Sequence, residues 1–264
     1  MDVQQFELPK GKHKPKTSLR DYLFMIYGPP KTGKTTFANG WDNALFLATE
    51  PGTAAMEAAD ITIPSWEVFT EVVYKLQKDA RADAFDTIVI DTVDLLWEFL
   101  SADVCARKGW DDLNDPGFGY GYRVARNELH AMMGVLRTLN KAIILISHER
   151  KVSDFDEKGR RLGVTTVTSD LPNSARKVLH GYADFILRAE VLEDGSRVLR
   201  TRPFESPDLQ IECGCRGDIN RPMPEFIPLD FKTFKKEFVK AFRQKKAAKA
   251  KAPAQAPAQQ EAQA

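Results

Sequence analysis

The chain has 264 residues, of which 43% are hydrophobic and 28% charged, the composition of an ordinary globular chain able to bury one sizeable core. Its 38 Lys and Arg nearly cancel its 37 Asp and Glu, which excludes binding a polyanion through the field of the whole molecule and leaves only local patches for that task. No stretch approaches the roughly 18 consecutive apolar residues of a membrane span, and the polar, lysine-bearing start lacks the apolar run of a signal peptide, so a cytoplasmic protein with no membrane contact is expected.

In chain order, residues 1–20 are polar and lysine-rich, with Phe6 and Leu8 as early apolar anchors, and read as an arm outside the core. Tyr22–Tyr27, Ala44–Ala48, Thr87–Ile90 and Ala142–Ser147 are short apolar runs of the kind that form strands buried on both faces. Ser65–Lys78 opens on a capping serine and spaces Trp66, Phe69, Val73 and Leu76 as one helical face; Val93–Ala106 and Tyr122–Leu139 also read as helices. Strand alternating with helix predicts parallel strands joined by right-handed crossovers, hence an α/β three-layer core over residues 21–230. Two segments interrupt it, Lys108–Tyr120 and Arg150–Asp170, and loops of that length are usually functional or disordered. Ala183–Ala189 and Arg197–Thr201 flank the turn Glu193–Ser196 and predict a C-terminal hairpin.

Phe231, Phe234, Phe238 and Phe242 form a stripe on a basic amphipathic helix at 231–246, and the Ala, Pro and Gln segment 247–264 is expected to be a disordered tail. The basic run along that helix is either a solubilising face or a contact for DNA or a partner. Cys105, Cys213 and Cys215 are an odd number, fitting a reducing compartment. Cys213 and Cys215 lack a second cysteine pair and read as ordinary thiols.

Gly28-Pro29-Pro30-Lys31-Thr32-Gly33-Lys34-Thr35 matches G-x-x-x-x-G-K-[ST] completely, directly after an apolar strand and before a helix-compatible stretch continuing through Thr36. Successive backbone N–H groups in such a loop, with the positive end of the following helix, neutralise a triphosphate. Lys34 is expected at the β- and γ-phosphates and the Thr35 hydroxyl on Mg²⁺, which makes ATP and Mg²⁺ the expected cofactors. Lys31 is either a phosphate contact or simply solvated.

Asp91 ends the strand Thr87–Ile90 and is the second candidate Mg²⁺ ligand; alone, it reads equally as a cap for the next helix. Glu50 follows the strand Ala44–Ala48 and is either the group that orients the attacking water or a plain loop glutamate. His148 follows the strand Ile143–Ile146 and Ser147, and is either a hydrogen-bond partner of the γ-phosphate or a satisfied buried histidine.

These four features, Gly28–Thr35, Ala48-Thr49-Glu50, Ile90-Asp91-Thr92-Val93 and Ile146-Ser147-His148, stand in the order found in RecA-like P-loop ATPases. Over about Tyr22–Phe204 the chain resembles the short RecA-core proteins of bacteriophages that act as single-strand annealing proteins or recombinases. The resemblance implies a three-layer αβα core with a mainly parallel sheet and a Mg²⁺-dependent ATPase, stimulated by single-stranded DNA. It also implies a homo-oligomer, ring or filament, with ATP at subunit interfaces, and a single-strand-binding protein as a further partner. Two DNA loops follow from it, at Lys108–Tyr120 and at Arg150–Lys177. The second offers Arg150, Lys151, Lys158, Arg160, Arg161, Arg176 and Lys177 for phosphates and Phe155 for stacking, diluted by Asp154, Asp156, Glu157 and Asp170. In the first, Trp110, Phe118 and Tyr120 can stack, while Asp111, Asp112 and Asp115 repel phosphates.

By the same resemblance, Arg200 and Arg202 complete a neighbour's ATP site, the bland alternative being two exposed strand arginines. His148 stands where many relatives have glutamine. The N-terminal helix and large C-terminal domain of RecA have no counterpart here, which puts filament formation and strand exchange in question and leaves annealing open. A P-loop kinase of a small molecule or nucleotide, with Arg160 and Arg161 in a lid, and a nucleotide-gated loader or scaffold with little turnover are the alternatives. Phosphate release without an added acceptor separates the first alternative, and Glu50→Gln the second.

Overall fold

The structure is a computed structural model and describes residues 11–12, 16–153, 163–218 and 222–251, with side chains to residue 243. Its first strand, β1 (Leu23–Tyr27), is buried at every position. Such a run needs helices over both faces and a strand on either side. It leads into α1 (Lys34–Asn39), β2 (Ala44–Ala48), β3 (Ala59–Thr62), α2 (Trp66–Lys78), β4 (Thr87–Asp91), α3 (Val93–Lys108), α4 (Tyr120–Thr138) and β5 (Ala142–Ser147). Next come β6 (Glu149–Val152), β7 (Thr165–Ser169), α5 (Asn173–Tyr182), β8 (Phe185–Val191) and β9 (Arg197–Arg200). The last are β10 (Phe204–Glu205), β11 (Leu209–Ile211), β12 (Gly214–Cys215), β13 (Phe226–Pro228) and α6 (Phe231–Lys251).

The main sheet has the order β13-β9-β8-β1-β5-β4-β2-β3, with β12 against β8. β1 pairs in parallel with β5 and β8, and β4 in parallel with β5 and β2. Strand alternation divides the core: Leu23, Met25, Ile88 and Ile90 face α2 to α5, whereas Phe24, Ile26 and Val89 face α1 and α6. The result is the three-layer α/β P-loop core with a mainly parallel sheet. β8 and β9 form the hairpin read from the sequence.

The phenylalanine stripe completes the second helical layer. Phe231 lies 5.0 Å from Trp41 and Phe234 6.0 Å from Phe24, ring centre to ring centre. Each buried phenylalanine contributes roughly 2–3 kcal/mol, so α6 belongs to the core and is no appendage. It continues to Lys251, past the boundary at residue 246 drawn from composition.

Other segments differ from expectation. The described residues of the segment 150–170 do not form a plain loop: β6 and β7 pair antiparallel, Glu149 opposite Ser169, within a second sheet of order β10-β11-β7-β6. Arg150 and Lys151 are exposed on the edge strand β6. Charges that guard an edge also erase the apolar alternation by which a strand is read. Edge strand β3 carries no apolar alternation for the same reason, its Ala59, Asp60 and Thr62 being exposed. Arg176 and Lys177 sit on α5 and not on a loop. Lys158, Arg160, Arg161 and Phe155 lie outside the described residues.

Candidate active site

At the start of the cradle Gly28 is required by packing. A Cβ there would stand 2.1 Å from the carbonyl oxygen of Ala189 on β8. Pro29 and Pro30 lead to Lys31, exposed and with φ of 64°, and to Thr32, whose Oγ1 donates to the Pro29 carbonyl at 3.0 Å. Gly33 adopts φ of 103°, accessible to glycine at little cost. The ammonium of Lys34 donates to the carbonyls of Gly28 at 2.8 Å and Pro29 at 2.9 Å. Burial pushes this ammonium below the usual lysine range, against the pull of Asp91, Asp94, Glu149 and Glu50. A desolvated cation whose direct hydrogen-bond partners are carbonyls is complementary to an anion. Thr36, in the next turn, is exposed.

Thr35 and Asp91 meet across the mouth of the cradle. Thr35 Oγ1 donates to Asp91 Oδ2 at 2.8 Å. Asp91 is therefore turned toward the phosphate loop and is not a helix cap. Burial pushes its carboxyl up to about 6, with Glu50 and Asp94 adding to the rise and the Thr35 hydroxyl and Lys34 opposing it. A hydroxyl and a carboxylate at this spacing suit a small hard cation that takes oxygen ligands. The residues present thus fit Mg²⁺, with Thr35 and Asp91 as its protein ligands. Bound there, the ion would polarise phosphoryl oxygens.

Glu50 is half-buried two residues past β2, and its carbonyl accepts from the Gly52 N–H at 2.8 Å. A Cβ at Gly52 would lie 3.6 Å from Asp91 Oδ2, which places this tight turn beside the Thr35–Asp91 pair. Thr49, which sequence reasoning missed, locks β2 to the end of β4: its hydroxyl accepts from the Thr92 N–H at 2.7 Å and donates to the Thr92 carbonyl at 3.0 Å. His148 Nδ1 stands 2.6 Å from Asp94 Oδ2, so His148 is anchored to α3 by a second residue that motif reading did not single out.

A family profile described as AAA domain matches residues 20–208. The chain belongs to the AAA domain family. Membership brings nucleotide binding and ATPase chemistry to the cradle just described. Among solved structures, the chain is similar to the flagellar accessory protein FlaH from Methanocaldococcus jannaschii, at 13% identity and a TM-score of 0.38, over 68% of this chain and 77% of that one. No curated protein matches it in sequence. Among the described residues, no helix is long and apolar enough to cross a membrane.

Of the two hairpin arginines of this AAA domain, Arg200 is buried and Arg202 exposed. Arg200 is 8% exposed, donates to Glu190 at 2.9 Å and Glu225 at 2.6 Å, and lies 4.4 Å over the Phe226 ring. The register sets it opposite Arg188, on the face that carries Glu190, so extending to a neighbour would cost it the pairs with Glu190 and Glu225. Arg202 stands beyond β9 and donates to the Met223 carbonyl at 2.7 Å. Arg197, three residues earlier and on the opposite face of β9, borders the cradle of its own chain. A Cβ at Gly33 would lie 3.5 Å from Arg197 Nη1 and 3.3 Å from Leu229 Cδ2. The sequence held no signal for this, because the face of a short strand is set by its pairing.

The DNA candidates are spread over several elements. Arg150 donates to the Leu171 carbonyl at 3.4 Å and lies 3.9 Å from Asp170; Arg176 donates to Asn173 at 2.6 Å; Lys151 and Lys177 are exposed. The α3–α4 connection is well braced: Asp115 accepts from the Asp111 and Asp112 N–H groups, and Trp110 meets Tyr120 edge-on at 6.0 Å. At its tip Phe118 is fully exposed, with φ of 49° between Gly117 and Gly119.

Proposed function

We propose that this AAA domain is a Mg²⁺-dependent ATPase that works as a homo-oligomer on single-stranded DNA in phage-type recombination, by annealing or as a recombinase. The observation that carries the ATPase half is the facing of Thr35 and Asp91 beside the buried ammonium of Lys34, with Glu50 on the adjoining turn. Lys34 and the loop amides would grip the phosphates, and Glu50 would orient the attacking water.

The DNA half draws support from exposed side chains in both candidate segments, Lys177 on α5 among them. Exposed Phe118 suits stacking on an unpaired base, and Arg150 and Lys151 add positive charge on β6. Phosphate release is to be followed with no acceptor added, with and without Mg²⁺ and single-stranded DNA, over a range of protein concentrations. Turnover should need Mg²⁺, rise with DNA and rise with concentration, and DNA affinity should fall with salt. Turnover indifferent to DNA, together with no binding at low salt, overturns the DNA half and leaves the ATPase half standing.

A further inference from the structure

We propose that Asp94 is a positioning residue for ATP hydrolysis, holding His148 so that its Nε2 presents a lone pair to the attacking water. The inference rests on the ATPase reading above. β5 lies between the cradle strand β1 and the Asp91 strand β4, with Ile146 opposite both Ile26 and Asp91. His148, two residues on, therefore stands at the sheet edge between the turn that follows β1 and the start of α3. Asp94, its partner, is close enough to act on the Lys34 ammonium.

The hold has two points. Asp94 Oδ2 is 2.6 Å from His148 Nδ1, and Asp94 Oδ1 is 3.4 Å from the His148 backbone N–H. Behind the ring, the His148 carbonyl accepts from the Asp170 N–H at 2.9 Å and from the Ser147 hydroxyl at 3.0 Å. A carboxylate is an acceptor, so in the neutral ring the proton between the two groups belongs on Nδ1 and the lone pair on Nε2. An acceptor is repelled by an anionic phosphate and suits the O–H of water. This reverses the role expected from position alone, in which His148 donates to the γ-phosphate. In the step itself, the water oxygen bonds to the γ-phosphorus while the β–γ bridging bond breaks and ADP leaves with its electron pair. The water protons pass to phosphate and solvent, and His148 ends unchanged.

The test is a double-mutant cycle on kcat and KM for ATP hydrolysis, with binding of a non-hydrolysable analogue as the control for folding. Asp94→Asn offers Nδ1 a donor as readily as an acceptor, and should lower kcat about 100-fold with KM within threefold. Glutamine at 148 has a carbonyl oxygen that accepts from water without any tautomer to fix. His148→Gln should therefore keep kcat within tenfold, and in that background Asp94→Asn should cost less than threefold. Should Asp94→Asn fail to fold, Asp94→Ser is carried through the same cycle, its hydroxyl being too short to hold the ring.

An equal loss from Asp94→Asn in both backgrounds would mark a merely structural carboxylate and overturn the proposal. So would a kcat within twofold of the parent. If the parent chain itself releases no phosphate, it is the ATPase reading that falls.

Discussion

Thr35 Oγ1 and Asp91 Oδ2 lie 2.8 Å apart, with the hydroxyl donating to a carboxyl that burial has pushed up to about 6. The folded pKa exceeds that of an unfolded aspartate, so below about 4 the group is neutral in both states, and ionising it between about 4 and 6 costs the fold stability. A bound cation would favour the ionised form. Affinity for Mg²⁺-nucleotide should accordingly fall as pH drops below 6, while affinity for nucleotide without Mg²⁺ should change less. Asp91→Asn should flatten that profile, weaken the Mg²⁺ contribution and stabilise the nucleotide-free fold at pH 7 by about 1–3 kcal/mol. Nucleotide titrations at pH 5 to 8, with Mg²⁺ or EDTA, and urea melts of both proteins check this; a pH-independent Mg²⁺ effect in the parent counts against it.

Lys34 holds its charge against two carbonyl oxygens, Gly28 and Pro29, and burial lowers its pKa. Lys34→Ala should leave the fold nearly intact, since it removes a charge that burial disfavours, and should weaken nucleotide binding at least 100-fold, about 2.7 kcal/mol. Calorimetric titration with ATP is the check, and equal uptake by the variant would remove the basis for the site.

What could be read before folding follows from how local the cause is. The phosphate cradle and strands β1, β2, β4 and β5 are continuous in sequence and buried on both faces, so Leu23–Tyr27 and Gly28–Thr35 announce themselves. Asp94 could not be singled out: its role comes from contact with a residue 54 positions away. β3 and β6 were illegible because exposed edges carry polar residues where buried strands carry apolar ones. Arg200 and Arg197 look alike in sequence, and only the pairing of β9 with β8 sends one into an ion-pair network and the other to Gly33.

That division separates two arginine variants. Arg200→Ala leaves Glu190 buried with Arg188 as its remaining partner, and should destabilise the chain by on the order of 3 kcal/mol. Arg197 is exposed, so Arg197→Ala should leave the melting temperature within a degree or two. Its guanidinium sits at the cradle rim, and its loss should weaken ATP about tenfold, roughly 1.4 kcal/mol. Melts and ATP titrations on both variants settle the matter; a nucleotide defect confined to Arg200→Ala would reverse the assignment.

His180 on α5 is held 2.9 Å from the Ser169 hydroxyl at the end of β7, with Glu212 at 3.7 Å. Burial depresses its pKa to about 4, with Arg176 adding to the depression and the Glu212 carboxylate opposing it. Above the unfolded value near 6.5 the ring is neutral in both states and contributes no pH dependence. Between 6.5 and 4 the unfolded chain binds a proton that the folded chain refuses. The His180 contribution to stability then falls as pH is lowered through that window, by up to about 1.4 kcal/mol per pH unit, opposite in sign to that of Asp91 between 6 and 4. His180→Gln can still pair with Ser169 and cannot titrate, so it should remove this slope while costing little at pH 7.5. Urea midpoints of both proteins from pH 4 to 7.5 decide it. Parallel slopes would assign the acid sensitivity elsewhere, whereas a difference between the two slopes of that size would locate it where the second sheet docks on α5.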